Sequence, residues 1–277
     1  MAIQLGTVAP IGFPDFAAAD WLACFRRLGC TVVQAYRNQK ARLSVRQMED
    51  YIAAGQMPCD SLHGVFGEEF DPSGCAEPHR RFAVDSYKRE GELALALGGS
   101  LVVVHCATIR RHAVPLAERK LRLRQLRKSI LELGRFGEEI GVTYAFENLP
   151  GYHAIGYDVA ELAGLLEELA ATRTGMCFDT GHALMTGDPP QSIRAADGRI
   201  VYVHLSDNSG RSDDHEMPTY GALDCDRTAE ALRDVGYHGT LMLEVFHTLD
   251  RLKEMIDEGA GERLARIVRR AEGQAAG

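Results

Sequence analysis

The chain alternates short apolar or β-branched runs with longer stretches whose apolar residues recur every three or four positions. The first pattern suits strands buried on both faces, and the second suits amphipathic helices. Ala2–Ala9 predicts a first strand, ended by Pro10 and Gly12. Asp15–Leu28 follows with Phe16, Ala19, Leu22, Ala23 and Phe25 on a helical period, and Gly29 stops it. Thr31–Tyr36 predicts a second strand, and Ser44 with Gln47 forms a capping box for a helix reaching Ala54. Ser61–Phe66 predicts a third strand and Glu77–Leu97 a long helix closed by Gly98-Gly99. Leu101–His105 is a fourth strand, and Pro115–Ile140 a helix ended by Gly141. The run from Val142 to Glu147 is a fifth strand, and Asp158–Leu169 a helix. Gly175–Phe178 and Ile200–His204 are strands six and seven, with a short helix at Pro190–Ala196 between them. A polar loop, Asp207–Asp224, leads to a helix at Arg227–Val235 and an eighth strand at Leu241–Phe246. One last helix spans Asp250–Arg270, with a fraying Gly/Ala-rich tail after it.

Eight strands alternating with helices predict an α/β fold with parallel strands, a single (β/α)8 TIM barrel over residues 1–277 as one domain. A doubly wound open sheet is the competing arrangement, but no GxGxxG motif follows the first strand. In a barrel all strands present their C-terminal ends to one face, where chemistry is placed. Four successive strands here end in metal-ligand residue types: Glu147, Asp179, His204 and Glu244. Three carboxylates and one imidazole make a mostly hard site, suited to Mn²⁺, Mg²⁺ or Co²⁺ and tolerant of Zn²⁺. Four such groups facing one another without a cation would be strongly unfavourable. His63, His105, His182, Asp213 and His215 occupy neighbouring positions, while His79, His112, His153 and His238 read as surface residues.

Composition narrows the partners. A net charge of −8 argues against nucleic acid and against anionic membranes. No apolar run approaches the roughly 18 residues that span a bilayer. The start, Met-Ala-Ile-Gln-Leu-Gly, has no basic segment leading into a long apolar one, so no secretory signal is expected. Seven scattered cysteines without CxxC spacing suggest buried free thiols in a reducing, cytoplasmic setting. One basic stretch stands apart, Arg110-Arg111-His112 continuing into Arg119-Lys120-Leu-Arg122-Leu-Arg124. It reads as a solvated helix exterior, with Arg110 or Arg111 the alternative contact for a substrate phosphate or carboxylate.

Seven segments together carry a family resemblance: Ser61-Leu-His-Gly64, Val103-Val-His105, Phe146-Glu-Asn148, Phe178-Asp-Thr-Gly-His182, Val203-His-Leu-Ser-Asp207, Asp213-Asp-His215 with Gly221 downstream, and Leu243-Glu244. The whole chain resembles the xylose isomerase-like TIM-barrel superfamily. It is most similar to the sugar isomerase/epimerase branch, which includes tagatose/psicose 3-epimerases and hydroxypyruvate isomerase. The resemblance implies one divalent metal (Mn, Co, Mg or Zn) on Glu147, Asp179, His204 and Glu244. It implies Glu147 and Glu244 as the acid/base pair, with His63, His182, Arg211 and His215 contacting a small sugar or keto-sugar. A homo-oligomer is also expected from it.

The expected chemistry is proton abstraction alpha to a carbonyl, through an enediolate, by carboxylates from strands five and eight. Two other activities compete. A lyase or dehydratase would share the first step. The class II AP endonucleases of the same superfamily bind three zinc ions, and their ligand pattern can be laid on His63, His105, Glu147, Asp179, His182, His204, Asp213, His215 and Glu244. A non-catalytic sugar-binding barrel is a third class, although none of the four central ligands is missing.

Overall fold

A computed structural model describes residues 2–274. Eight parallel strands close into a barrel in chain order, with the first paired to the last. They are β1 Gln4–Ile11, β2 Val32–Arg37, β3 Cys59–His63, β4 Leu101–His105, β5 Thr143–Glu147, β6 Thr174–Asp179, β7 Ile200–Leu205 and β8 Thr240–Leu243. The outer helices are α1 Ala18–Arg27, α2 Val45–Gly55, α3 Glu77–Ala96, α4 Leu116–Ile140, α5 Val159–Leu169, α6 Thr180–Thr186, α7 Pro189–Ala195, α8 Cys225–Asp234, α9 Leu249–Asp257 and α10 Ala260–Ala271. The expected (β/α)8 barrel is therefore the observed fold.

Local chemistry fixes many boundaries. Ser44 Oγ accepts from the Gln47 amide at 3.3 Å while Gln47 Oε1 accepts from the Ser44 amide at 2.9 Å, so the capping box starts α2. Gly141 ends α4 in the left-handed region, at φ 83°. Three expectations needed correction. The last helix is two helices, because Gly259 at φ 83° breaks the run between α9 and α10. An extra helix, α6, starts directly on Asp179, whose side chain caps it. β3 and β8 stop at His63 and Leu243, short of the predicted ends, so Glu244 lies one residue past its strand. Of the tail expected to fray after Arg270, Ala275, Ala276 and Gly277 lie outside the described residues.

Strand alternation sorts the interior into two cores. Val102, Val104, Tyr144, Phe146, Met176, Phe178, Leu241 and Leu243 point outward and pack with the helices in the large core. Val32, Val103, Ala145, Cys177, Tyr202 and Met242 form a separate small cluster, one residue from each of six strands, that fills the barrel. Side chains on a strand repeat with period two. The residue two places beyond each filler therefore points along the same inner face at the strand end. Val103 leads to His105, Ala145 to Glu147, Cys177 to Asp179, Tyr202 to His204 and Met242 to Glu244.

Candidate active site

These inward residues meet at the base of a cavity of about 400 Å³ at the C-terminal end of the barrel, lined among others by Tyr36, His63, His105, Glu147, His182 and Glu244. Glu147, Asp179, His204 and Glu244 each bring one ligand atom within 4.8 Å of the other three. His204 Nδ1 is 2.9 Å from Glu147 Oε1, 2.9 Å from Glu244 Oε2 and 3.9 Å from Asp179 Oδ2. All four residues are buried.

Whether these residues fit a metal is decided by their unused atoms. Glu147 Oε2, Asp179 Oδ2 and Glu244 Oε2 are buried with no hydrogen-bond partner. Asp179 Oδ2 and Glu244 Oε2 face His204 Nδ1, while Glu147 turns Oε1 to that nitrogen and Oε2 to His105. Three buried carboxylates packed this closely are costly by themselves, and a divalent cation among them offsets that cost. The donor set is mostly oxygen, so it fits hard cations and also zinc. Burial pushes both the Glu147 and Glu244 carboxyls up. The neighbouring imidazoles, His204 foremost, outweigh it and hold both below the ordinary range.

Neighbouring residues hold these ligands still. Asn148 brackets Asp179 from two sides, accepting from its amide at 2.8 Å and donating to its carbonyl at 3.0 Å. Asp179 Oδ1 accepts from the His182 amide at 2.7 Å, which starts α6 and leaves Oδ2 facing the site. The loop after β7 is tied by Asp207, whose carboxylate accepts from the amides of Asn208, Thr219, Gly221 and Leu223. Gly221 is required there, since a Cβ would lie 2.3 Å from Asp207 Oδ1. The loop thereby returns Asp213 and His215 over the cavity.

Two further clusters adjoin the central one. His63, His105 and Glu147 form the first, and His182, Asp213 and His215 the second. His105 Nε2 is 3.1 Å from Glu147 Oε2. His182 Nε2 and His215 Nε2 lie 3.4 and 3.5 Å from the Asp213 carboxylate. Three of these rings are anchored alike. His63, His182 and His215 each donate from Nδ1 to a backbone carbonyl, of Gly64, Asn148 and Glu244, so each turns Nε2 to the cavity. Burial lowers the pKa of His63 to about 4, which leaves it neutral. Burial also works against a charge on His182, but Asp179 and Asp213 raise it to about 10.

The remaining sequence expectations divide. His63, His182 and His215 line the cavity, but Arg211 is exposed in the loop after β7 and lines no part of it. Arg110 lines it instead, with its guanidinium 5.6 Å above the Tyr152 ring. Its neighbours are occupied, Arg111 with Glu118 at 2.7 Å and Arg122 with Asp71 at 2.9 Å. Arg122 is nearly buried, so the basic stretch is not merely a solvated exterior. His153 was expected at the surface and is buried in the cavity wall, neutral because burial lowers its pKa to about 3. The turn at Pro150-Gly151 folds it inward, and only its nearness to Glu147 in sequence hinted at this. All seven cysteines are free, and six are buried. Among the described residues, no helix is long and apolar enough to cross a membrane.

Comparison with known proteins adds the following. The family described as xylose isomerase-like TIM barrel matches residues 22–266. An uncharacterized protein of Methanocaldococcus jannaschii is 24% identical over 200 residues, 69% of this chain and 66% of that protein. Inosose isomerase of Bacillus velezensis is 27% identical over 195 residues, 66% of this chain and 64% of the isomerase. The matched region is thus less than two thirds of either relative. A D-allulose 3-epimerase from Methylomonas sp., solved in complex with D-allulose, superposes with a TM-score of 0.77 at 18% identity, covering 97% of each chain.

Proposed function

We infer that this chain, which belongs to the xylose isomerase-like TIM-barrel family, is a divalent-metal-dependent isomerase or epimerase of a small sugar or keto-sugar. The observation that carries this reading is the floor of the cavity. Three buried carboxylates and one imidazole converge there from successive strand ends, each carboxylate with an oxygen left unpartnered. The names of the relatives, an inosose isomerase and a D-allulose 3-epimerase, support the substrate class.

Glu147, Asp179, His204 and Glu244 would hold the metal. When bound, it supplies Lewis-acid polarisation of a substrate carbonyl and charge stabilisation of the enediolate. The proton traffic falls to Glu147 and Glu244. They come from β5 and from the residue after β8, and flank His204 at 2.9 Å each. Both carboxyls are ionised at neutral pH and able to take a proton from the carbon alpha to the carbonyl. Return of the proton to the adjacent carbon isomerises. Delivery to the opposite face of the same carbon, by the second carboxylate, epimerises. His63, His182 and His215 present ring nitrogens to substrate oxygens. Arg110 takes the role that the family resemblance suggested for Arg211, because it is the arginine that faces the cavity.

A second reading, a zinc phosphodiesterase with three metals, is favoured by a specific observation. The two flanking clusters share or adjoin the central one, and His63, His182 and His215 turn their Nε2 atoms into the cavity. Against it stand the net charge of −8 and a loop after β7 rich in acids. Metal analysis of the reconstituted protein separates the two. About one metal per chain, with solvent deuterium taken up into a ketose, supports the isomerase or epimerase. About three zinc ions with cleavage of abasic DNA would replace it by the phosphodiesterase. No metal at all would point to a sugar-binding barrel.

A further inference from the structure

A polar thread runs through the barrel interior beneath the metal ligands, and the chemistry above does not use it. It begins at Asp60, the second residue of β3, near the end of the barrel where the strands start. Asp60 Oδ2 accepts from Thr240 Oγ1 at 2.7 Å. Asp60 Oδ1 is 2.7 Å from Ser61 Oγ and 3.0 Å from Tyr202 OH, and those two hydroxyls are 2.6 Å apart. Ser61 Oγ accepts from Gln34 Nε2 at 3.3 Å. Gln34 Oε1 is 3.1 Å from His204 Nε2. Ser61, Gln34 and His204 are all 0% exposed, so bulk water does not reach the links between them.

The direction of each link follows from what each group can give. An ionised carboxylate only accepts. Ser61 and Tyr202 have one proton each, and both are drawn into the triangle they form with Asp60. Ser61 therefore meets Gln34 with a lone pair, and the amide must turn its NH₂ toward Ser61. That turns the Gln34 carbonyl toward His204. A carbonyl has no proton, so His204 Nε2 carries one. The other nitrogen is then the one that gives up its proton when a cation takes its place. That nitrogen is Nδ1, the atom facing Glu147, Asp179 and Glu244.

The contrast with the other rings explains why such a device is needed. His63, His182 and His215 are fixed by backbone carbonyls, which are acceptors by construction. His204 is fixed by a side-chain amide, whose two ends are nearly the same shape and opposite in polarity. Only something further along the chain can set which end faces the ring. Cys177 also lies beside the imidazole, but burial pushes its thiol up to about 12, so it is a neutral neighbour.

We propose that Asp60 and Gln34 are positioning residues: the carboxylate at the far end of the barrel sets the hydrogen-bond polarity through Ser61 and Gln34, and so fixes His204 with a proton on Nε2 and leaves Nδ1 as the atom that a metal would take. The ligand role of Nδ1 rests on the metal reading above, whereas the proton on Nε2 does not.

The test uses the full chain labelled with ¹⁵N-histidine and loaded with Zn²⁺, which is diamagnetic. Long-range ¹H–¹⁵N spectra assign the His204 tautomer, and chelator competition gives the zinc affinity. The wild type should show the proton on Nε2. Gln34→Leu should weaken zinc binding by about 10- to 100-fold. Gln34→Glu, which keeps an acceptor facing the ring, should restore it to within about threefold of wild type. Asp60→Asn, whose amide can donate to Ser61 and reverse the thread, should weaken it by about tenfold. A merely structural role would lower the melting midpoints of these variants together without separating Gln34→Glu from Gln34→Leu. A proton on Nδ1 in the wild type overturns the proposal, as does unchanged zinc affinity in Gln34→Leu. Should the variants not fold, the wild-type tautomer still decides. An Nε2–H ring in a protein that binds no zinc at the floor would sink the metal reading and leave the tautomer assignment standing.

Discussion

At the floor of the cavity, Glu147, Asp179 and His204 stand on strand ends and are 0% exposed, with Glu244 one residue past its strand at 4%. At the rim, Arg110 and Asp213 stand on loops, and the Asp213 and His215 side chains keep 21% and 23% of their surface exposed. The floor is over-determined. Glu147, Asp179 and His204 are held by strand register and inner-face alternation, and Asn148 and Gln34 add a partner to Asp179 and His204. The rim depends on loop conformation, and on a few ties such as those made by Asp207. In a barrel this division places the shared chemistry on the strands and the choice of substrate on the loops.

Substitutions at the floor should produce the largest effects. Glu147→Gln and Glu244→Gln should each reduce solvent-deuterium exchange into substrate by about 10³-fold, with circular dichroism unchanged. Wild-type-like exchange in both would remove their acid/base roles and erase the distinction between floor and rim.

Acid should act on the floor next. Burial, with Glu147 and Glu244 beside it, raises the Asp179 carboxyl to about 6 against the opposing His182. A carboxyl raised in this way holds its proton below that pH and must lose it to bind a cation. Metal affinity should therefore fall as pH drops through 6, approaching tenfold per pH unit for one proton. An affinity flat between neutral pH and pH 5, measured by competition, would take Asp179 out of the ligand set.

His105→Ala probes the boundary between the two regions, because His105 touches Glu147 from the rim side at 3.1 Å. A loss of about tenfold in kcat/KM fits a residue that orients Glu147. A loss as large as that of Glu147→Gln would make it part of the floor.

The rim itself should give the smallest changes. Arg110→Met should raise KM for an anionic sugar by about tenfold while sparing kcat, and Arg211→Met should change it by less than about twofold. Equal effects of the two, read from steady-state kinetics on a ketose and its phosphate ester, would mean that the loop after β7 closes over substrate.

Where the sequence was readable, the reason was periodicity. The run Leu101–His105 and its counterparts are apolar on both faces, as strands covered by helices and filled by side chains must be, so their number and the barrel followed directly. The same period of two carried Glu147, Asp179 and His204 to one face. It reached Glu244 even though β8 stops at Leu243, because the inner-face direction persists for one residue beyond the ladder. What failed was local. Gly259 split one predicted helix in two, since an isolated glycine in a helical pattern does not reveal its φ.

Other features belonged to tertiary structure from the start. His153 is buried because the loop after β5 folds onto a cavity wall supplied by other strands, and Arg110 rather than Arg211 faces that cavity for the same reason. The link from Asp60 to His204 joins residues of β2, β3 and β7 that are up to 170 positions apart. The sequence by itself determined which residue types end each strand and which way they point, because alternation is a property of the backbone. Only the closed barrel decided which of them touch, which oxygens stay without partners and which nitrogen of His204 faces the carboxylates, because those depend on distances between strands.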